Sequence, residues 1–179
     1  QKGFNGVAIL SKLKFDEVNR RLAGDDEDEQ ARFIEGVFST DRGALRVVSR
    51  YLPNGNPQPG PKFEFKTTWL ARLRQRAKGL LAAELPVVLA GDYNVIPARQ
   101  DAKQPELWVN DALFLPATRE RFRQLTLLGL TEAVRALHPA DTDLYSFYDY
   151  QAGAWQKGNG IRIDHLMLSP QAADRPSSA

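Results

Sequence analysis

Apolar residues recur at helical spacing in one long stretch of this chain and alternate at strand spacing in several short ones. Within residues 68–84, Trp69, Leu73, Ala77 and Leu80 return every three or four positions, with Arg72, Arg76 and Lys78 off that stripe. That spacing predicts an amphipathic helix. Residues 116–128 predict a second helix, with Pro116 in its first turn and Gly129 past its end. Thr131 stands where it would cap a third, short one through Leu137. Strands are predicted at 6–10, 32–38, 44–51 and 161–168. Pro86-Val87-Val88-Leu89-Ala90 is apolar on both faces, as a central covered strand is. Residues 53–61, dense in Pro, Gly and Asn, predict a loop, 96–114 an irregular polar stretch, and 145–155 an aromatic loop or hairpin. The small, polar tail from Pro170 to Ala179 is expected to fray.

The early strands follow one another closely and the later ones alternate with helices. That mixture favours a mixed sheet arrangement flanked by helices over a doubly wound parallel sheet. No repeat or linker interrupts it, so residues 1–179 are expected to be one domain.

Composition narrows the classes. The chain has 179 residues, 42% hydrophobic and 26% charged, which suits one globular domain with a sizeable core. No run of eighteen apolar residues exists to span a membrane. With no cysteine, disulfides, thiolate metal sites and a Cys nucleophile are excluded together, and a reducing cytoplasm fits. There is no basic-then-apolar leader, and the chain does not open on Met. A net charge of +2 is too small to argue for nucleic acid. The acids at 25–29 and the bases at Arg72, Arg74, Arg76, Lys78, Arg119, Arg121 and Arg123 read as solvated surface.

Three segments could carry chemistry. In Gly91-Asp92-Tyr93-Asn94-Val95-Ile96-Pro97, a carboxylate and a carboxamide two residues apart at the mouth of a buried strand point to the same side. Asp92 could deprotonate a water and Asn94 could donate to a developing oxyanion, or the segment could be an Asx turn closing the strand. In Arg50-Tyr51-Leu52-Pro53-Asn54-Gly55, the phenol and the amide could both reach a phosphate, or cap a strand ahead of a turn. In the third, Tyr145-Ser146-Phe147-Tyr148-Asp149-Tyr150 precedes Gly158-Asn159-Gly160-Ile161-Arg162-Ile163-Asp164-His165. Strict alternation puts Arg162 and Asp164 on one face, so they could pair as a structural bridge. The aromatics could be core, or could stack on DNA.

These segments, in this order, resemble the exonuclease–endonuclease–phosphatase superfamily. They are most similar to its exodeoxyribonuclease III (AP endonuclease) branch. The similarity runs from Gln1-Lys2-Gly3 to Leu168-Ser169, and the aromatic loop with Arg162-Ile163-Asp164 sets it apart from the branches acting on phosphoinositides and sphingomyelin. The resemblance implies an α/β fold, a four-layer sandwich of two packed mixed sheets flanked by helices, here lacking both ends. It implies metal-assisted hydrolysis of duplex DNA 5′ to abasic sites, at 3′ ends, or both. Asp92 matches the residue that activates water, Asn94 the phosphate-holding residue, Tyr51 the catalytic phenol, and Asn54 a phosphate contact. Asp164 matches the carboxylate that orients the family's histidine. Phe147, Ile161 and Ile163 match the pocket for a flipped-out abasic sugar, with Arg162 beside them as a substrate contact.

The implied cofactor is Mg²⁺ or Mn²⁺, with Asp92 and Asn94 as ligands of a second position. The family's first-strand Asn and its Mg²⁺-holding Glu precede the position of Gln1, and its Ser-Asp-His follows the last residue. His165 directly follows Asp164 and is not that histidine; His138 reads as structural or exposed. The 179 residues alone are therefore expected to be inactive and to associate through an uncovered edge, the intact parent being a monomer. A family member acting on RNA or a small phosphate ester, and a non-catalytic DNA-binding fragment, remain alternative readings.

Overall fold

The doubly apolar segment after Pro86 becomes β4 (Val87–Asp92), near the middle of the main sheet of a computed structural model that describes residues 5–151 and 153–174. Before it come β1 (Glu17–Asn19), β2 (Phe33–Thr40), β3 (Gly43–Tyr51) and helix α1 (Pro61–Ala82). After it come α2 (Pro116–Thr126), β5 (Thr131–Glu132), α3 (Ala133–Leu137), β6 (Phe147–Tyr148), β7 (Gly160–Ile161), β8 (Asp164–Leu168) and α4 (Pro170–Ala173). Among the described residues the strands form a six-stranded sheet, β1-β2-β3-β4-β8-β5, and a two-stranded one, β6-β7. The main sheet is mixed: β3 and β4 run parallel, joined through α1, and the other pairs are antiparallel. The α/β class and the mixed sheet match expectation.

The core lies between α1 and one face of this sheet. Val48, Leu89 and Met167 are register neighbours on β3, β4 and β8, each at most 1% exposed, and they meet Trp69, Leu73 and Ala77 of α1. Burying side chains of this size is worth about 1.5–3 kcal/mol each. Phe122 and Leu125 of α2 close the same cluster.

Several elements differ from expectation. The segment at 6–10 has no regular secondary structure and pairs with no strand among the described residues. Helix α1 starts at Pro61, seven residues early, because Pro lacks only an N–H that the first turn leaves unpaired anyway. Glu132, not Thr131, caps α3, its side chain accepting from the Arg135 N–H at 2.8 Å. The last strand is broken at Arg162 and Ile163 into β7 and β8. The tail begins with a helical turn, and residues 175–179 lie outside the described residues. Not all the surface charges are solvated: Arg72 bonds Asp28 at 2.8 Å, and Arg76 bonds Glu35 at 2.6 Å. Glu35, 2% exposed, also pairs with Arg46.

Candidate functional site

Three strand ends converge on one row. Tyr51 closes β3 beside Asp92 of β4, and Asp92 lies opposite Asp164 of β8. Adjacent strands stand about 4.8 Å apart, and residues three apart on a strand point to opposite faces. Tyr51, Asp92 and Asp164 are each three positions from Val48, Leu89 and Met167 respectively. The row therefore faces away from α1.

Gly91 lets the chain turn here. Its φ is +127°, and a Cβ would collide with the Arg50 carbonyl oxygen. Beyond it Asn94, at φ +48°, adopts the left-handed conformation that Asn tolerates better than most residues. That turn folds Asn94 back onto Asp92. The Asp92 carboxylate accepts from the Asn94 backbone N–H at 2.7 Å and from its Nδ2 at 3.2 Å. Asn94 Nδ2 also donates to the Leu52 carbonyl at 2.7 Å, and Asn94 Oδ1 accepts from Asn54 Nδ2 at 3.3 Å. Asn94 is 4% exposed with both amide protons engaged, and in this geometry it braces Asp92. Burial pushes the Asp92 carboxyl up to about 6 and Asp164 adds to this, while the Asn94 N–H, Arg50 and Lys66 oppose it.

Tyr51 and Asp92 open on a cleft of about 360 Å³; Asp164 is exposed at the end of the row and does not line it. Tyr51, Asn54, Asp92 and Asn94 lie at its polar end, and Phe147, Ile161 and Ile163 on its apolar wall. Trp108, Asp111, Leu113 and Asp149 complete it. Ser146 fixes the wall, its Oγ accepting from the N–H groups of Ile163 and Asp164 at 3.1 and 3.0 Å. A larger groove of about 430 Å³ adjoins at Asn54, lined by Arg32, Lys62 and Phe65 among others, but it lacks the carboxylates. Sequence reasoning missed Trp108, Asp111 and Leu113, which sit in an irregular stretch without periodicity.

Arg162 is not in the cleft. It is 3% exposed, with Nε on Asp101 at 2.8 Å and Nη1 on Glu132 at 2.7 Å. It does not pair with Asp164, because the break between β7 and β8 turns it inward. Arg135 joins Asp101 from the other side at 2.9 Å. Arg162 Nη1 also lies 3.1 Å from His165 Nδ1, and His165 Nε2 lies 3.0 Å from the Val95 carbonyl. Arg only donates and a carbonyl only accepts, so His165 is neutral with its proton on Nε2. Burial, then Arg162, holds its pKa well below the ordinary histidine range. His165 is thus fixed within the buried polar network; His138 caps the end of α3 and pairs with Asp141.

Two further cations are buried. Lys66, 0% exposed, donates to three carbonyls, and burial lowers its pKa to about 7 against the pull of Asp111 and Asp92. Arg50, 1% exposed, lies over the Tyr93 ring, and its nitrogens have no hydrogen-bond partner among the described residues. Burial lowers its pKa, with Asp92 and Asp164 opposing.

A hard divalent cation takes about six oxygen ligands. Asp92 accepts two bonds from Asn94, and Asn94 Oδ1 accepts one from Asn54, so each keeps acceptor capacity but the pair supplies few of those ligands. No group of three or more His, Asp or Glu side chains converges among the described residues. This donor set does not make a cation site by itself, and no step below passes through an ion. No helix among the described residues is long and apolar enough to cross a membrane.

A mixed α/β sheet that places a phenol and two carboxylates at strand ends over an apolar cleft defines the class. The chain belongs to the endonuclease/exonuclease/phosphatase family, whose model matches residues 1–179. It is 31% identical over 182 residues to exodeoxyribonuclease III of Haemophilus influenzae, covering 98% of this chain and 68% of that protein. Among solved structures, a 3′-5′ exonuclease from Neisseria meningitidis superposes with a TM-score of 0.87 at 32% identity, covering 94% of this chain and 64% of that one. An AP endonuclease from Archaeoglobus fulgidus superposes with a TM-score of 0.82 at 28% identity, covering 91% and 62%. The chain thus spans about two thirds of the length of these proteins.

Proposed function

We propose that residues 1–179 carry part of the single catalytic domain of a DNA-repair phosphodiesterase. It cuts duplex DNA 5′ to abasic sites, trims 3′ ends, or does both. The observation that carries this reading is that Tyr51 and Asp92 open onto the apolar wall of Phe147, Ile161 and Ile163, with Asp164 opposite Asp92 on β8. The relatives, named for exodeoxyribonuclease, 3′-5′ exonuclease and AP endonuclease activity, support DNA as the substrate.

Asp92, ionised at neutral pH and held by two donors from Asn94, takes the proton of the attacking water. Tyr51 donates its phenol proton toward a phosphate oxygen, and the exposed Asn54 contacts the phosphate. Asp164, at the exposed end of the row, orients a neighbouring group. The wall of Trp108, Leu113, Phe147, Ile161 and Ile163 takes up an extruded abasic sugar, which lacks a base to hydrogen-bond. The cofactor is Mg²⁺ or Mn²⁺; bound, it supplies charge neutralisation at the phosphate, with oxygen ligands beyond Asp92 and Asn94. We place the protein in the cytoplasm, consistent with its lack of cysteine.

The test is cleavage of an end-labelled duplex with one abasic site by the protein expressed from its native coding sequence, with Mg²⁺ and with EDTA. The expected result is a Mg²⁺-dependent cut 5′ to the abasic site that falls about 10²–10⁴-fold in Asp92→Ala. No cutting of abasic or intact duplex, together with hydrolysis of RNA or a small phosphate ester, would overturn the reading.

A further inference from the structure

Lys66 lies in phase with the buried stripe of α1, three residues before Trp69 and four before Leu70. Its ammonium nevertheless ends at three carbonyls from three separate segments. Nζ donates to Asn54 O at 2.8 Å in the loop after β3, to Asn94 O at 2.6 Å in the turn after β4, and to Ala112 O at 3.1 Å ahead of α2. An ammonium has three protons, so every donor is used. Each carbonyl belongs to a cleft residue or to the neighbour of one: Asn54 and Asn94 line the cleft, and Ala112 sits between Asp111 and Leu113, which do too.

The fit is close on the Asn54 side. Gly55 has φ +93°, and a Cβ there would stand 2.6 Å from Lys66 Cδ. Asn56 adds a second tie between the same loops. Its Nδ2 donates to Asp111 at 3.0–3.1 Å, and its Oδ1 accepts from the Ala112 N–H at 3.1 Å. Stability alone does not call for lysine here. A methionine would fill similar volume without the cost of burying a charge. What lysine adds is one point that holds three backbone segments at fixed separation, as a site on loops requires.

We propose that Lys66 is a positioning residue of the cleft: its ammonium group sets where Asn54, Asn94 and Asp111 stand relative to one another, and through Asn94 where Asp92 points. This rests on the phosphodiesterase reading above.

The test compares wild type, Lys66→Met and Lys66→Arg, all from the native coding sequence, by kcat and KM on the abasic duplex and by thermal melting. Misplacing a reacting group by about 1 Å costs on the order of 100-fold, so kcat of Lys66→Met is expected to fall about 100-fold with KM within about threefold. Lys66→Arg, which keeps donors, is expected to recover at least about tenfold of that loss. A folded Lys66→Met with kcat within about threefold of wild type, or equal losses in the two variants, overturns the proposal. If Lys66→Met does not fold, the ¹⁵N signal of the Lys66 ammonium in wild type decides, read while abasic duplex is added in EDTA. A shift supports the proposal and no shift overturns it. A wild type that cuts no DNA fails the functional reading first, and this inference falls with it.

Discussion

The two faces of β3, β4 and β8 use the same three strands for opposite purposes. On one face Val48, Leu89 and Met167 pack against α1 and are almost wholly buried. On the other, three residues along each strand, Tyr51, Asp92 and Asp164 stand in a row, the first two lining the cleft. The helix-covered face is held by contacts that need only volume and apolarity. The residues around the cleft are held by directional bonds: Lys66 and Asn94 donate to carbonyls, Ser146 Oγ accepts from the Asp164 N–H, and Arg162, outside the cleft, donates to Asp101. One face therefore tolerates substitution by size, and the other by donor and acceptor geometry.

The largest stability effect should come from breaking the polar side. Arg162→Met removes the cation paired with Glu132 and one of the two paired with Asp101, leaving a buried and a half-buried carboxylate short of cations. Losing one member of a buried pair costs about 3–5 kcal/mol. Urea unfolding measures it; a loss under about 1 kcal/mol would mean that the network is incidental.

On the apolar face, Leu89→Ala should cost about 2–5 kcal/mol through lost burial and the cavity left behind. The rate per folded molecule should not change, because Leu89 points away from the cleft. A drop in kcat at temperatures where the variant is folded would break the division between the faces.

The third test sharpens the comparison. The Asp92 carboxyl is raised to about 6 by burial, so the folded state holds a proton that the unfolded chain releases near pH 4. The stability from protonated Asp92 is fully present below about pH 4 and lost as pH rises through about 6. Above that, Asp92→Asn should be more stable than wild type by about 3 kcal/mol in EDTA, converging with it below about pH 4. Equal stabilities at pH 7.5 would show that the charged form is better solvated than its burial indicates. A gain in stability with a loss of cutting would mark Asp92 as held for chemistry, not for the fold.

Much of this division was legible in advance. The stripe of Trp69, Leu73, Ala77 and Leu80 located α1, and the apolar run before Gly91 located β4, because periodicity and turn chemistry are local. The start of α1 was misplaced because Pro61 follows a loop rich in Pro and Gly, and Pro marks helix starts as well as breaks. Arg162 was read as sharing a face with Asp164 because alternation was carried straight through 161–168. The break between β7 and β8, enforced by Ser146 and by the Arg162 N–H bond to the Asp101 carbonyl at 2.8 Å, reversed it. Lys66 carried a readable signal, a lone cation in phase with a buried stripe, but its partners did not.

The chain by itself determined the pieces: a buried strand ending in Gly91-Asp92-Tyr93-Asn94, a phenol before Pro53-Asn54-Gly55, an aromatic loop, and the family they resemble. These depend on residues a few positions apart, where backbone geometry alone decides which side chains share a face. The tertiary structure decided which pieces meet. It set Tyr51, Asp92 and Asp164 in one row, brought Trp108 and Leu113 to the wall, and paired Arg162 with Asp101 across 61 residues and Lys66 with Ala112 across 46. Those contacts follow from strand order and loop packing, which local periodicity does not encode, since a buried cation takes whichever carbonyls and carboxylates the assembled sheet brings within reach.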